Sequence, residues 1–141
     1  MVLADQHPSM LEGIRSLLET VFSTVVMVAD EPSLIEAIEG LGPAVVVLDL
    51  SLSHSARGAN VVSRTLKRYP NQRLIVLSVH DEPEAVEAAL SAGARAFVLK
   101  RTAASDLLPA VEAVLAGGTY VSPGGRKYPA MERAGSATPG E

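Results

Sequence analysis

Apolar residues recur along this chain in two alternating patterns. Short runs rich in β-branched and aliphatic residues fall at Met1–Ala4, Val25–Ala29, Ala44–Leu48, Arg73–Leu77 and Arg95–Leu99. Most are continuous rather than alternating, which predicts strands covered on both faces, as parallel strands between helices are. Between them the spacing becomes helical. Met10, Leu11, Ile14, Leu17, Leu18 and Val21 share one helical face, and this stripe reads as core. Further stripes run through Leu34, Ile35, Ile38 and Leu41, through Val61, Val62, Thr65 and Leu66, through Ala85, Val86, Ala89 and Leu90, and through Leu107, Leu108, Val111, Val114 and Leu115.

Punctuation agrees with that segmentation. Pro8, Pro32 and Pro83 stand at helix starts, where a missing N–H costs nothing, and Gly40, Gly93 and Gly117 supply the stops. Pro109 falls inside the last helical stripe, so that helix is expected to start near Ser105 or to carry a mild kink. Repeated strand and helix units with short links predict an α/β fold with an open parallel sheet. Right-handed crossovers then place helices on both faces. After Gly118 the apolar period ends, and "SPGGRKYPAMERAGSATPGE" reads as a linker or frayed tail. The expected division is a domain over 1–121 and a tail over 122–141.

Composition narrows the class. With 141 residues the chain is one ordinary domain, able to bury roughly two-thirds of its unfolded surface. Cysteine is absent and histidines number three, which excludes thiolate chemistry and makes a histidine metal cage improbable. The core is aliphatic, since 48% of residues are hydrophobic but only 4% aromatic. A net charge of −4 disfavours direct nucleic-acid binding, which needs clustered Lys and Arg. No apolar run approaches a membrane span and the N-terminus lacks a secretory layout, so a cytoplasmic location is expected.

Ligands of open α/β sheets bind outside the carboxyl ends of the strands. Asp5 and Gln6 follow the first predicted strand, Asp49 the third, Ser78 the fourth and Lys100 the fifth. Any one of these has a plainer reading: a lone strand-end Asp is often a helix cap, a lone Ser a turn residue, a lone Lys a solvated charge. Together they form a coherent set. Carboxylates there suit Mg²⁺, an Asp can attack phosphorus, and a hydroxyl and an ammonium can bond the transferred phosphoryl oxygens.

The stretches "LADQHP", "VVVLDLSL", "VLSVHDEP" and "GARAFVLK" resemble the site motifs of the receiver domain of two-component response regulators, from Val2 to about Pro123. "LSVHDEPEAVEAALSAGARAFVLK" and "AGGTYVSP" further resemble the LuxR/NarL-type subfamily. The resemblance implies a flavodoxin-like doubly wound five-stranded parallel sheet of order 2-1-3-4-5. It implies Asp49 as phosphoacceptor, and Asp5, Asp49 and the backbone carbonyl of Ser51 as Mg²⁺ ligands. Ser78 would sense the phosphoryl group, Lys100 would pair with it, and Phe97 would be the aromatic switch residue, although an aromatic in a buried strand is more often simply core.

Three departures qualify this. Gln6 stands where the family has a second metal-site acid; its amide oxygen can ligate, but the lost charge should weaken Mg²⁺ binding. The loop "SLSHSARG" lacks the family's usual proline and is one residue longer before Gly58. No helix-turn-helix follows, while the closing "SATPGE" has some likeness to the start of one.

Two functions follow. The first is a signal-transduction receiver that takes phosphoryl from a sensor histidine kinase onto Asp49 and switches an output, with DNA reached only through a domain outside this chain. The alternative is a pseudo-receiver that serves as a phosphorylation-independent interaction or dimerisation module, as a homodimer. On either reading the chain is no enzyme beyond assisting its own phosphorylation and dephosphorylation. A nucleotide- or flavin-binding enzyme is disfavoured, because "GLGPA" lacks the G-x-G-x-x-G order after a strand.

Overall fold

The computed structural model describes residues 1–5, 12–52, 59–79 and 82–123, apart from the side chains of Ser51 and Ala59. Gln6, Pro8, Met10, Leu11, the stretch from Ser53 to Gly58 and the tail from Gly124 lie outside the described residues. The predicted apolar runs form strands β1 (Val2–Ala4), β2 (Val26–Val28), β3 (Val46–Asp49), β4 (Leu74–Ser78) and β5 (Ala96–Leu99). Helices α1 (Glu12–Leu18), α2 (Glu31–Leu41), α3 (Ala59–Arg68), α4 (Pro83–Ser91) and α5 (Ala103–Leu115) separate or follow them. A sixth short strand, β6 (Tyr120–Val121), closes the edge, giving the order β2-β1-β3-β4-β5-β6 with every pairing parallel.

The absence of alternation in the strand sequences now has its cause. Side chains still alternate between faces along each strand, but both faces are covered. Val2, Ala4, Val46, Leu48, Leu74, Val76, Phe97 and Leu99 join one buried cluster with residues of α2, α3 and α4, including Leu34, Ile38, Val61, Val62, Val86 and Ala89. Leu3, Val45, Val47, Ile75, Leu77, Ala96 and Val98 join the other, against Leu18 of α1 and Leu107, Ala110, Val111 and Val114 of α5. A one-residue slip of any central strand would exchange these two sets, so packing fixes the register.

That register aligns the strand ends. Ala4 pairs with Leu48, Leu48 with Val76, and Val76 with Phe97. The next residues, Asp5 and Asp49, therefore emerge side by side at the carboxyl edge. The backbone N–H of Asp5 donates to the Val28 carbonyl at 3.0 Å, which continues the ladder one step past β1.

Several expectations change at element ends. Val21 was assigned to the core stripe, but α1 stops at Leu18 and Val21 is 57% exposed, because a residue beyond the last turn no longer follows the helical period. Leu41 and Leu115, the last residues of α2 and α5, are likewise exposed. The expected stop at Gly40 shifts to Gly42, whose left-handed φ of 54° lets its N–H donate back to Ile38 at 3.0 Å. Gly93 and Gly117 do stand in positive-φ positions after α4 and α5.

The expected start of the last helix near Ser105 is overturned. A 3₁₀ turn over Lys100–Thr102 leads straight into α5 at Ala103, and the helix continues through Pro109. Pro109 and Ser105 are both exposed residues, so the lost i, i+4 bond to the Ser105 carbonyl falls on the solvent side of the helix. The tail expectation also needs adjustment. Tyr120–Val121 is strand, and Ser122 is fully buried rather than the first residue of a linker.

Two substitutions separate the cores from their edges. Leu74→Ala, at a fully buried site, should lower unfolding free energy by about 2–5 kcal/mol. Val21→Ser should change it by no more than about 0.5 kcal/mol. Urea denaturation of the two variants beside the parent chain checks both values.

Candidate functional site

The carboxyl edge of the sheet brings together three of the residues singled out by sequence. Asp5 and Asp49 are 1% and 3% exposed, an expensive place for carboxylates unless they are paired. Lys100, the first residue after β5, supplies the pairing. Its Nζ donates to Asp5 Oδ2 at 3.0 Å and forms an ion pair with Asp49 Oδ2. One ammonium thus bridges two acids from different strands, with the lysine side chain 16% exposed.

Electrostatics follow from that geometry. Burial alone would push the Lys100 ammonium toward its neutral form. The hydrogen bonds it donates to Asp49 and Asp5, reinforced by their charges, outweigh burial and hold the group above the ordinary lysine range. Lys100 therefore remains a cation at neutral pH. The bridged set brings two carboxyl groups and one ammonium together at one edge of the sheet.

Ser78 ends β4 and is 2% exposed. It pairs with Leu99 in the register, while Asp49 pairs with Leu77, so Ser78 stands one step beyond Asp49 on the adjoining strand. Ser51 lies in the 3₁₀ turn Leu50–Leu52 directly after Asp49. Phe97 is placed differently. It is fully buried in the α2, α3 and α4 face of the sheet, paired with Val76, and belongs to that core cluster rather than to the polar rim.

A group of chemically matched residues was not singled out from the sequence. Asp106, on α5, is buried and accepts from three hydroxyls: Thr102 Oγ1 at 2.6 Å, Ser122 Oγ at 2.8 Å and Tyr120 Oη at 3.0 Å. The Ser122 hydroxyl in turn accepts from the Leu99 N–H at 3.0 Å. The only local signal was the i, i+4 spacing of Thr102 and Asp106, which on its own describes an ordinary first helical turn.

Whether the rim suits Mg²⁺ can be judged from what it already holds. The lysine ammonium touches both carboxylates, so Asp5 and Asp49 lie within reach of a single positive centre. All candidate donors are oxygens, the ligand type Mg²⁺ requires, and it commonly uses one or two carboxylates with water and phosphate completing the shell. Among the described residues no group of three or more His, Cys, Asp or Glu could hold a metal, and the two carboxylates at this edge are Asp5 and Asp49. The residues fit the ion on those terms.

Comparison with known proteins agrees with this geometry. A family model described as "Response regulator receiver domain" matches residues 1–112. The transcriptional regulatory protein DegU of Brevibacillus brevis is 31% identical over 125 residues, covering 87% of this chain and 52% of its own length. UhpA of Salmonella typhimurium, also a transcriptional regulatory protein, is 37% identical over 126 residues, covering 87% and 62%. The chain thus spans about half to three-fifths of the curated relatives it matches.

A LuxR-family two-component response regulator from Aurantimonas sp. SI85-9A1 superposes with a TM-score of 0.83 at 29% identity, covering 95% of this chain and 96% of that one. The isolated receiver domain of RcsB from Salmonella enterica serovar Typhimurium, solved with a phosphomimetic beryllofluoride, superposes at 0.77 with 27% identity, covering 88% and 93%. Receiver domains of this kind are signalling modules and generally bind Mg²⁺ at their acidic site. Sheet order, acidic rim and sequence all agree, and the chain belongs to the response regulator receiver domain family, among relatives that are LuxR/NarL-type regulators.

Proposed function

We propose that this chain receives a phosphoryl group on Asp49 from a sensor histidine kinase, and that the change in charge is passed to an output that controls transcription through a separate DNA-binding domain. The observation that carries the reading is the shared ammonium: Lys100 holds Asp5 and Asp49 together at the sheet edge. In the transfer, an Asp49 carboxylate oxygen forms a bond to phosphorus while the phosphorus–nitrogen bond of the donor phosphohistidine breaks. The leaving imidazole nitrogen keeps the bonding electron pair, and the product is an acyl phosphate.

Each residue has a task in this scheme. Asp5, Asp49 and the Ser51 carbonyl would hold Mg²⁺, with Gln6, outside the described residues, as a neutral fourth candidate. Bound there, the ion would neutralise charge on the phosphoryl oxygens. The Lys100 ammonium, already charged and oriented by two acids, is poised to bond a phosphoryl oxygen once Asp49 is phosphorylated. Ser78, on the adjoining strand, is the hydroxyl placed to follow it. Phe97, buried on the opposite side from α5, would repack in response.

One observation favours a second reading, an interaction or homodimerisation module that works without phosphorylation. Lys100 already occupies both carboxylates, so Mg²⁺ must compete with it using one charge fewer than a site with two acids after β1. Metal binding and phosphoryl uptake decide between the readings.

The chain incubated with Mg²⁺ and a small phosphodonor should gain the mass of one phosphoryl group, and Asp49→Asn should gain none. An unmodified parent chain, under conditions that modify another receiver, would overturn the proposal. In a calorimetric Mg²⁺ titration, Asp5→Asn should weaken binding by roughly tenfold or more, since even outer-shell changes cost about that much. Gln6→Asp should tighten it. Equal affinity in all three chains would remove Asp5 from the metal site.

A further inference from the structure

Asp106 has no part in the rim chemistry, yet it is a buried carboxylate whose two oxygens serve three hydroxyls. A structural capping role would explain such a residue most simply. The bonds point elsewhere: Thr102 is the N-cap of α5 but makes no side-chain capping bond, and two of the three donors come from the segment after the helix. Oδ2 takes Thr102 and Ser122 together, while Oδ1 takes Tyr120.

Those donors belong to two distinct pieces of chain. Thr102 ends the 3₁₀ turn whose first residue is Lys100. Tyr120 and Ser122 belong to β6 and the residue after it, which lead toward residues 124–141. This strap is also stitched to β5 by backbone bonds from the Tyr120 N–H to the Arg95 carbonyl at 3.1 Å and from the Ser122 N–H to the Phe97 carbonyl at 2.9 Å. Past Val121 the ladder continues through a side chain, with the Leu99 N–H donating to Ser122 Oγ at 3.0 Å. Leu99 is the residue immediately before Lys100.

We propose that Asp106 is a latch that fastens the strap Tyr120–Ser122 to the turn carrying Lys100, so that the state of the Lys100 ion pairs sets how tightly the strap is held. The physical reason is that Leu99 and Thr102, on either side of Lys100 in the chain, bond the strap directly or through Asp106. Where release of the Lys100 ammonium from Asp5 is accompanied by a shift of the Lys100–Thr102 backbone, the Thr102 hydroxyl moves relative to Asp106. A buried carboxylate that loses the Thr102 hydroxyl then holds those of Tyr120 and Ser122 in altered geometry, and the strap loosens. The coupling rests on this geometry alone; its use as a relay to an output domain rests on the proposed function.

Amide hydrogen exchange on the full 141-residue chain tests it. Lys100→Met, which removes the ammonium without any phosphoryl chemistry, should speed exchange of the Tyr120 and Ser122 amides by about threefold or more, the lower range for coupled neighbours. Amides of Leu34 and Ile38 in α2 report any global loss of stability and serve as the reference, and the strap should accelerate by more than they do. Asp106→Asn keeps one acceptor oxygen and should free the strap by itself, and adding Lys100→Met to it should then produce no further change. Thr102→Val, which deletes a single hydroxyl, gives the same comparison if Asp106→Asn does not fold.

Unchanged strap exchange in Lys100→Met would overturn the latch, as would effects of Lys100→Met and Asp106→Asn that simply multiply. Beryllofluoride with Mg²⁺ separates this from the proposed function. Binding at Asp49 should slow exchange of β3 and speed that of the strap, whereas β3 protection with an unmoved strap counts against the latch. Absence of any β3 protection counts against phosphoryl uptake, and the Lys100→Met comparison still decides the latch.

Discussion

The structure depends on a single ammonium placed between two buried carboxylates. Two acids brought to adjacent strand ends resist desolvation, a cost that a nearby cation offsets. Lys100 supplies that cation from a third strand. The pairing ties β1, β3 and β5 together at their carboxyl ends, which no hydrophobic contact within the sheet does in the same way. It also leaves carboxylate oxygens at the rim, the ligand type Mg²⁺ takes, beside an ammonium able to pair with a phosphoryl group.

Everything beneath the rim serves to hold those three residues in register. The alternating side chains of β1, β3, β4 and β5 lock into two separate cores, one under α2, α3 and α4 and one under α1 and α5. Because both cores are buried and largely aliphatic, strand ends cannot slide independently. The positions of Asp5 and Asp49 thus follow from the packing of Val2, Leu3, Val46, Val47 and Leu48 several residues earlier. Phe97 connects the two ideas, since it fills one core while its carbonyl accepts from the strap residue Ser122.

Much of this was legible in the sequence because it depends on local period and on strand ends. Continuous apolar runs gave the parallel strands, and the polar residues directly after them gave Asp5, Asp49, Ser78 and Lys100. What the sequence hid depends on tertiary contact. Val21 fits the helical stripe of Ile14 and Leu17, and only the early end of α1 exposes it. Gly40 and Gly42 are both reasonable stops, and the choice is made by which N–H reaches the Ile38 carbonyl. Ser122 sits in a Pro- and Gly-rich stretch that resembles a linker, and its burial arises from Asp106, sixteen positions earlier on another element. Asp106 itself looks like any acidic residue in the first turns of a helix.

The bridging ammonium can be observed directly by an NMR pH titration of the Lys100 side-chain nitrogen. The midpoint should lie above the ordinary lysine value of about 10.4, and Asp49→Asn should bring it back toward that value by removing one of the two partners. A midpoint at or below the ordinary value in the parent chain, unmoved by Asp49→Asn, would contradict the claim that Lys100 holds the two acids together.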